Sequence, residues 1–126
     1  MRFMAWPLTD VGKIRANNED SYLVNESLGL YLVADGMGGH AGGAYASKVC
    51  VSAVEEIVEK SLPSITSSGN SEEQKQEATR QLLARAASDA SARIYREGQR
   101  NYELEGMGTT LCGLLFHEGK AHIVHV

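Results

Sequence analysis

Cysteine and proline are scarce in this chain, with two of each among 126 residues. Cys50 and Cys112 lie far apart in apolar surroundings, without a CxxC pair or the dense spacing of a disulfide scaffold. Both read as buried free thiols. A thiol nucleophile with an anion-binding arginine six residues on is excluded, because those positions hold Glu56 and Glu118. Long apolar runs are missing too: none approaches the roughly 20 residues of a membrane span, and MRFMAWPLTDVG has no apolar signal stretch. There is no excess of positive charge. The formal net charge is -4 and the pI about 5.5, with Lys and Arg scattered, which argues against nucleic acid and anionic membrane as partners. A cytoplasmic protein is expected. What remains, 43% hydrophobic and 22% charged residues, suits one globular core, hence one domain or part of one.

Residues 3–9 and 20–24 read as short strands joined by the polar stretch DVGKIRANNED. LYLVA follows the turn signal NESLG and is apolar on both faces, which predicts a buried central strand. NES also matches a glycosylation sequon, without consequence in a cytoplasmic chain. From 44 to 60, Ala46, Val49, Cys50, Ala53, Ile57 and Val58 recur at helical spacing, and LPSITSSGN should break that helix into a loop. A second helix is predicted from Ser71, where SEEQ supplies a hydroxyl cap and a reaching Gln74, to about residue 97. Its apolar stripe is Ala78, Leu82, Ala86, Ala90 and Ile94, which reads as core packing. Beyond Gly106, TTLCGLLF, HEGK and AHIVHV form a strand hairpin, with Thr109 and Thr110 opening a buried strand. His122 and His125, three apart on a strand, should face opposite ways and share no metal. The chain stops within that last strand, so Val126 reads as a truncation point.

The densest chemistry lies in LYLVADGMGGHAGGAYAS, residues 30–47, where Asp35 ends an apolar run and five glycines follow within eight residues. Gly36 to Ala41 fits a degenerate GxGxxA dinucleotide pattern, with Glu55 or Glu56 about 20 residues on. Asp35 argues against that reading, since its carboxylate would repel a pyrophosphate unless a cation intervened. A phosphate-binding P-loop is excluded because no Gly-Lys-Ser/Thr follows. Asp35 and Gly36 suit a hard cation better, as a carboxylate and an uncrowded carbonyl, and oxygen donors favour Mg2+ or Mn2+. RANNED adds Glu19 and Asp20 at a strand entry within reach of the same rim, and Arg15, which can hold a phosphate bidentately. Phosphate-ester hydrolysis follows from such a set. Each feature alone has a plainer reading: Asp35 as a turn or cap, Glu19 and Asp20 as loop acids, Arg15 as a surface charge.

Together, TDVGKIRANNEDSY, LYLVADGMGGHAGG, the following AS and GMGTTL resemble, in order and approximate spacing, the metal-dependent type-2C protein serine/threonine phosphatases of bacteria. The resemblance covers the whole chain but about the N-terminal half of such a catalytic domain. It implies an α+β fold, a four-layer sandwich of two antiparallel sheets flanked by helices, of which residues 1–126 would form one partial domain. It implies two or more Mn2+ or Mg2+ ions in the complete domain, with Asp35 bridging, Gly36 lending its carbonyl, Glu19 serving the second ion and Asp20 supporting the shell. Arg15 would hold the substrate phosphate. His40 reads equally as a proton donor or a turn residue, because eukaryotic relatives place a histidine directly after the Asp-Gly pair, where this chain has Met37.

The implied substrates are phosphoserine and phosphothreonine proteins, targets of a cognate kinase, hydrolysed by a metal-activated water. The alternative is a non-catalytic module of the same fold that binds a phosphoprotein or regulatory partner. The family's later aspartates would lie beyond Val126, so the 126 residues alone are expected to show negligible activity and to associate.

Overall fold

The computed structural model describes residues 2–39 and 41–126. Its elements are β1 (Asp20–Asn25), β2 (Leu30–Met37), α1 (Gly42–Thr66), α2 (Glu72–Arg100), a short 3-10 turn (Tyr102–Leu104), β3 (Gly108–Thr109), β4 (Cys112–His117) and β5 (Lys120–His125). The sheet is antiparallel in the order β1-β2-β4-β5, and β3 adds to the far end of β2. The architecture is α+β. The described residues build one sheet and one helical layer, two of the four layers expected.

The β1–β2 hairpin closes where the Asn25 side chain accepts a hydrogen bond from the Leu28 backbone N–H, and Gly29 N–H donates to the Glu26 carbonyl. The β4–β5 hairpin turns through Glu118 and Gly119, both with positive φ, the two-residue geometry that matches strand twist. On one face of the sheet Leu30, Leu32, Ala34 and Leu115 are buried under α1 and α2. α1 contributes Ala46, Cys50, Ala53, Val54, Ile57 and Val58 to that core, and α2 contributes Leu82, Ala86, Ala90 and Ile94. Small residues along both helices allow close approach. The α2 start is as expected: Ser71 Oγ accepts from Gln74 N–H, and Gln74 Oε1 accepts from Ser71 N–H.

Five expectations need correction. Residues 3–9 form no strand; Ala5, Trp6, Pro7 and Leu8 instead border a cavity of about 430 Å³ over the sheet's other face, with Trp6 78% and Leu8 93% exposed. Pro7 lacks a ladder donor, and Phe3 stacks on Phe116 with ring centroids 4.0 Å apart, so side chains rather than backbone bonds hold this segment. α1 does not end near residue 60 but continues through Pro63 to Thr66. A proline inside a helix costs about 3 kcal/mol, whereas burying a Leu or Ile side chain contributes about 1.5–3 kcal/mol. Leu62 is buried and Ile65 packs on the core, which together offset the lost bond.

β2 is central, as expected, but only one of its faces is covered, and Val33 on the other is 57% exposed. Cys112 is likewise exposed, because the pleat that sends Gly113 and Leu115 to the helices sends Cys112 to the open face. The threonine pair opens no buried strand either: Thr109 is half-buried in the short β3, and Thr110 is exposed just beyond it. His122 and His125 do face opposite ways, His122 buried and His125 exposed. Among the described residues no helix is long and apolar enough to cross a membrane.

The two thiols should therefore react very differently. Burial pushes the Cys50 thiol up to about 11, leaving little thiolate at pH 8, while Cys112 is accessible. A disulfide reagent at pH 8 should modify one thiol per chain within minutes, mapped to Cys112. Cys50 should react at least about 100-fold more slowly until the protein is denatured. Equal rates would contradict the packing of α1 on the sheet.

Candidate functional site

The site is built where β1 begins and β2 ends. Asp20 and Asp35 are register partners across the two strands, so their side chains share the open face of the sheet. Both line a cleft of about 280 Å³, with Thr9 and Thr110 among its walls. Asp35 is held by its backbone on both sides: its N–H donates to Thr110 Oγ1 at 3.1 Å, and its carbonyl accepts from Thr110 N–H at 2.9 Å. Thr110 thus fixes the height of the carboxylate above the sheet. Asn18 does the same for the other acid, accepting from Asp20 N–H at 3.0 Å while its own amide donates to Thr9 Oγ1 at 2.8 Å. The Thr110 clamp was not legible from GMGTT, because it joins residues 75 positions apart, whereas the Asn18–Asp20 bond is a local turn within RANNED that only its link to Thr9 ties to the rest of the cleft.

Facing carboxylates repel each other, and the effect appears in Asp20. Its pKa is raised above 3.8, first by desolvation, then by the charge of Asp35 and by a hydrogen bond to Asp35. Arg15 lies near enough to pull it the other way, and Glu19 adds a weaker push. Arg15, Glu19, Asp20 and Asp35 are thereby brought into one electrostatic neighbourhood. They are not equivalent, however.

Glu19 points away from the cleft toward the helices. A methyl group placed on Gly43 would lie 2.7 Å from Glu19 Cδ, so the carboxylate rests on the first turn of α1. That turn has no side-chain cap and no acidic residue of its own, and a carboxylate brought from another element complements its positive end. Gly36 lies in the same crowded seam. Its N–H donates to the Glu19 carbonyl at 3.1 Å, and a Cβ there would come within 2.0 Å of the Gly43 carbonyl oxygen. Gly36 and Gly43 thus let strand, helix and Glu19 meet without side chains between them. His40 lies outside the described residues.

The donors present are oxygens of the kind that hard divalent cations prefer. Two carboxylates forced together, one of them reluctant to ionise, are what a dication would relieve, so the pair fits Mn2+ or Mg2+. Among the described residues no group of three or more His, Cys, Asp or Glu side chains is arranged to hold a metal. Two facing acids are the core of the arrangement, with Glu19 one layer behind.

Comparison with known proteins identifies the family and the fold. The family model for protein phosphatase 2C matches residues 14–126. The serine/threonine protein phosphatase PstP of Mycobacterium tuberculosis is 35% identical over 121 residues, covering 94% of this chain and 20% of PstP. A crystal structure of the Mycobacterium tuberculosis phosphatase PstP/Ppp superposes with a TM-score of 0.73 at 32% identity, covering 91% of this chain and 43% of that one. A structure of the PstP catalytic domain in complex with two manganese ions gives 0.66 at 33% identity, covering 91% and 44%. The chain therefore spans about a fifth of the curated relative's length and under half of each solved chain. With nearly all of its residues matched by the family model and its fold shared with solved members, the chain belongs to the protein phosphatase 2C family.

Proposed function

We propose that residues 1–126 are part of a single cytoplasmic catalytic domain that hydrolyses phosphoserine and phosphothreonine in proteins, the products of a partner kinase. The observation that carries this reading is the pairing of Asp20 with Asp35 in a cleft within reach of Arg15. Asp35 and Asp20 would hold Mn2+ or Mg2+, with the Gly36 carbonyl adding an oxygen and Glu19, one layer behind on the α1 side, serving through water. Bound divalent ions supply Lewis-acid polarisation of the phosphoryl group and lower the pKa of water. Arg15 orients the phosphate through its planar fork and neutralises its equatorial oxygens. Thr110 and Asn18 keep the two carboxylates from drifting as substrate enters. His40 is the candidate proton donor to the leaving alkoxide.

The reading is tested by phosphate release from a phosphothreonine peptide by the full-length protein, with Mn2+ present and then removed by a chelator. Turnover that vanishes on chelation and returns with Mn2+ is expected. Tight phosphopeptide binding without turnover would support the non-catalytic module instead. Arg15→Ala should raise KM for the phosphopeptide about tenfold while lowering kcat less, because its guanidinium acts mainly on the bound ground state. An unchanged KM would remove Arg15 from the phosphate site.

A further inference from the structure

We propose that the groove between the start of α1 and the end of α2 is a docking surface for an acidic peptide segment of the protein substrate. The proposal rests on the phosphatase reading and adds to it a means of choosing among phosphoproteins. The groove, about 320 Å³, is lined by Tyr45, Val49, Arg93, Arg96, Glu97 and Arg100. Arg93, Arg96 and Arg100 follow one another at spacings of three and four, which puts them on one face of α2. Arg93 is engaged across the helices, its Nη1 2.9 Å from Glu56 Oε2. Arg96 and Arg100 form no ion pair among the described residues. Glu97 is the one carboxylate in the lining, so the groove is positive on a chain whose net charge is -4.

That local reversal of sign is the reason to assign an acidic occupant. Two guanidinium forks side by side match carboxylate or phosphate oxygens, and the half-exposed Tyr45 ring offers a flat wall for the peptide between them. A plainer account, a cation beside the negative end of a helix, covers Arg100 in the last turn but not Arg96 one turn earlier. Tyr45 and Val49 lie roughly 3 and 9 Å along the helix from Gly43, the residue against which Glu19 rests. We place the acidic side chains about four to six positions from the phosphorylated residue, which at about 3.3 Å per residue spans roughly 13–20 Å of extended chain.

The test compares the full-length protein with its Arg96→Glu/Arg100→Glu and Arg96→Lys/Arg100→Lys variants. Substrates are p-nitrophenyl phosphate and two phosphothreonine peptides, one with glutamates and one with glycines at those positions; anisotropy of a fluorescein-labelled hexaglutamate peptide reads binding without catalysis. Charge reversal should raise KM for the acidic peptide about tenfold and weaken hexaglutamate binding by a similar factor. The glycine peptide and p-nitrophenyl phosphate should be unaffected, and the lysine variant should retain most of the binding. Equal KM values for the two peptides in the unmodified protein, or no response to charge reversal, would overturn the proposal. So would reversal that abolishes binding to phosphatidylserine vesicles while sparing hexaglutamate, since the groove would then be a membrane surface. Failure to hydrolyse any ester would refute the phosphatase reading alone, and the binding measurement would still decide the groove.

Discussion

Asp35→Asn should remove Mn2+-dependent turnover of a phosphothreonine peptide by the full-length protein, by at least about 100-fold, while leaving the fold slightly more stable. The loss follows from the donor set: a neutral amide offers one oxygen and no charge where a carboxylate can serve two dications. The gain in stability follows from the register. Asp35 faces Asp20 directly, like charges opposite one another in a sheet are unfavourable by a few tenths of a kcal/mol, and the substitution removes one of them. The pH dependence carries the same sign. Asp20 binds its proton more tightly in the folded state than the 3.8 of an unperturbed carboxyl, so the metal-free protein loses stability as pH rises through and just above that range. Asp35→Asn should flatten this slope. Thermal melts from pH 3.5 to 6 with a chelator, set beside titration calorimetry with Mn2+, check both halves. A variant with unchanged Mn2+ affinity, or one that melts lower than its parent, would contradict the facing-carboxylate account.

Gly36→Ala should be the most damaging single methyl added anywhere in the strands. Its Cβ would meet the Gly43 carbonyl oxygen at 2.0 Å, the Gly43 carbonyl carbon at 2.5 Å and the Glu19 carbonyl oxygen at 2.6 Å. All three are backbone atoms, so no rotamer change relieves the clash. β2 must separate from the first turn of α1, breaking the Gly36–Glu19 hydrogen bond and shifting both acids of the RANNED segment. Overpacking of this kind costs about 3 kcal/mol or more, a fall in Tm of roughly 10–20 °C for a domain of this size. Gly69→Ala is the control, because nothing lies within 4 Å of its Cβ position and its φ is not positive. Its Tm should stay within about 2 °C of the parent. Similar melting of the two variants would show that the seam is looser than described.

Elements that depend on local pattern were legible in the sequence. α2 begins at its serine cap because Ser71 and Gln74 satisfy each other within a single turn. β4 and β5 turn at Glu118–Gly119 because two consecutive positive φ angles are a local demand. Errors arose where a local signal met a tertiary contact. Pro63 is a helix breaker in isolation, yet Leu62 and Ile65 find a core to fill on either side of it. Residues 3–9 have strand composition, yet Phe3 finds an aromatic partner in Phe116 rather than a ladder.

The same division runs through the site. Residue types and their order alone pointed to a metal-dependent phosphatase: a carboxylate ending a central strand, glycines before a helix, and a second acid pair behind an arginine. Chemistry of this kind is carried by the side chains themselves and survives as pattern. Which acids face each other was decided only by folding. Neighbours in a strand point to opposite sides, so Glu19 goes to the α1 N-terminus and Asp20 to the cleft, and the hairpin register then sets Asp20 against Asp35. The two meet across the hairpin, fifteen positions apart in the chain, a pairing no composition or spacing encodes. The arginine groove arose in the same way, because only the packing of α1 against α2 brings Tyr45 beside Arg96 and Arg100.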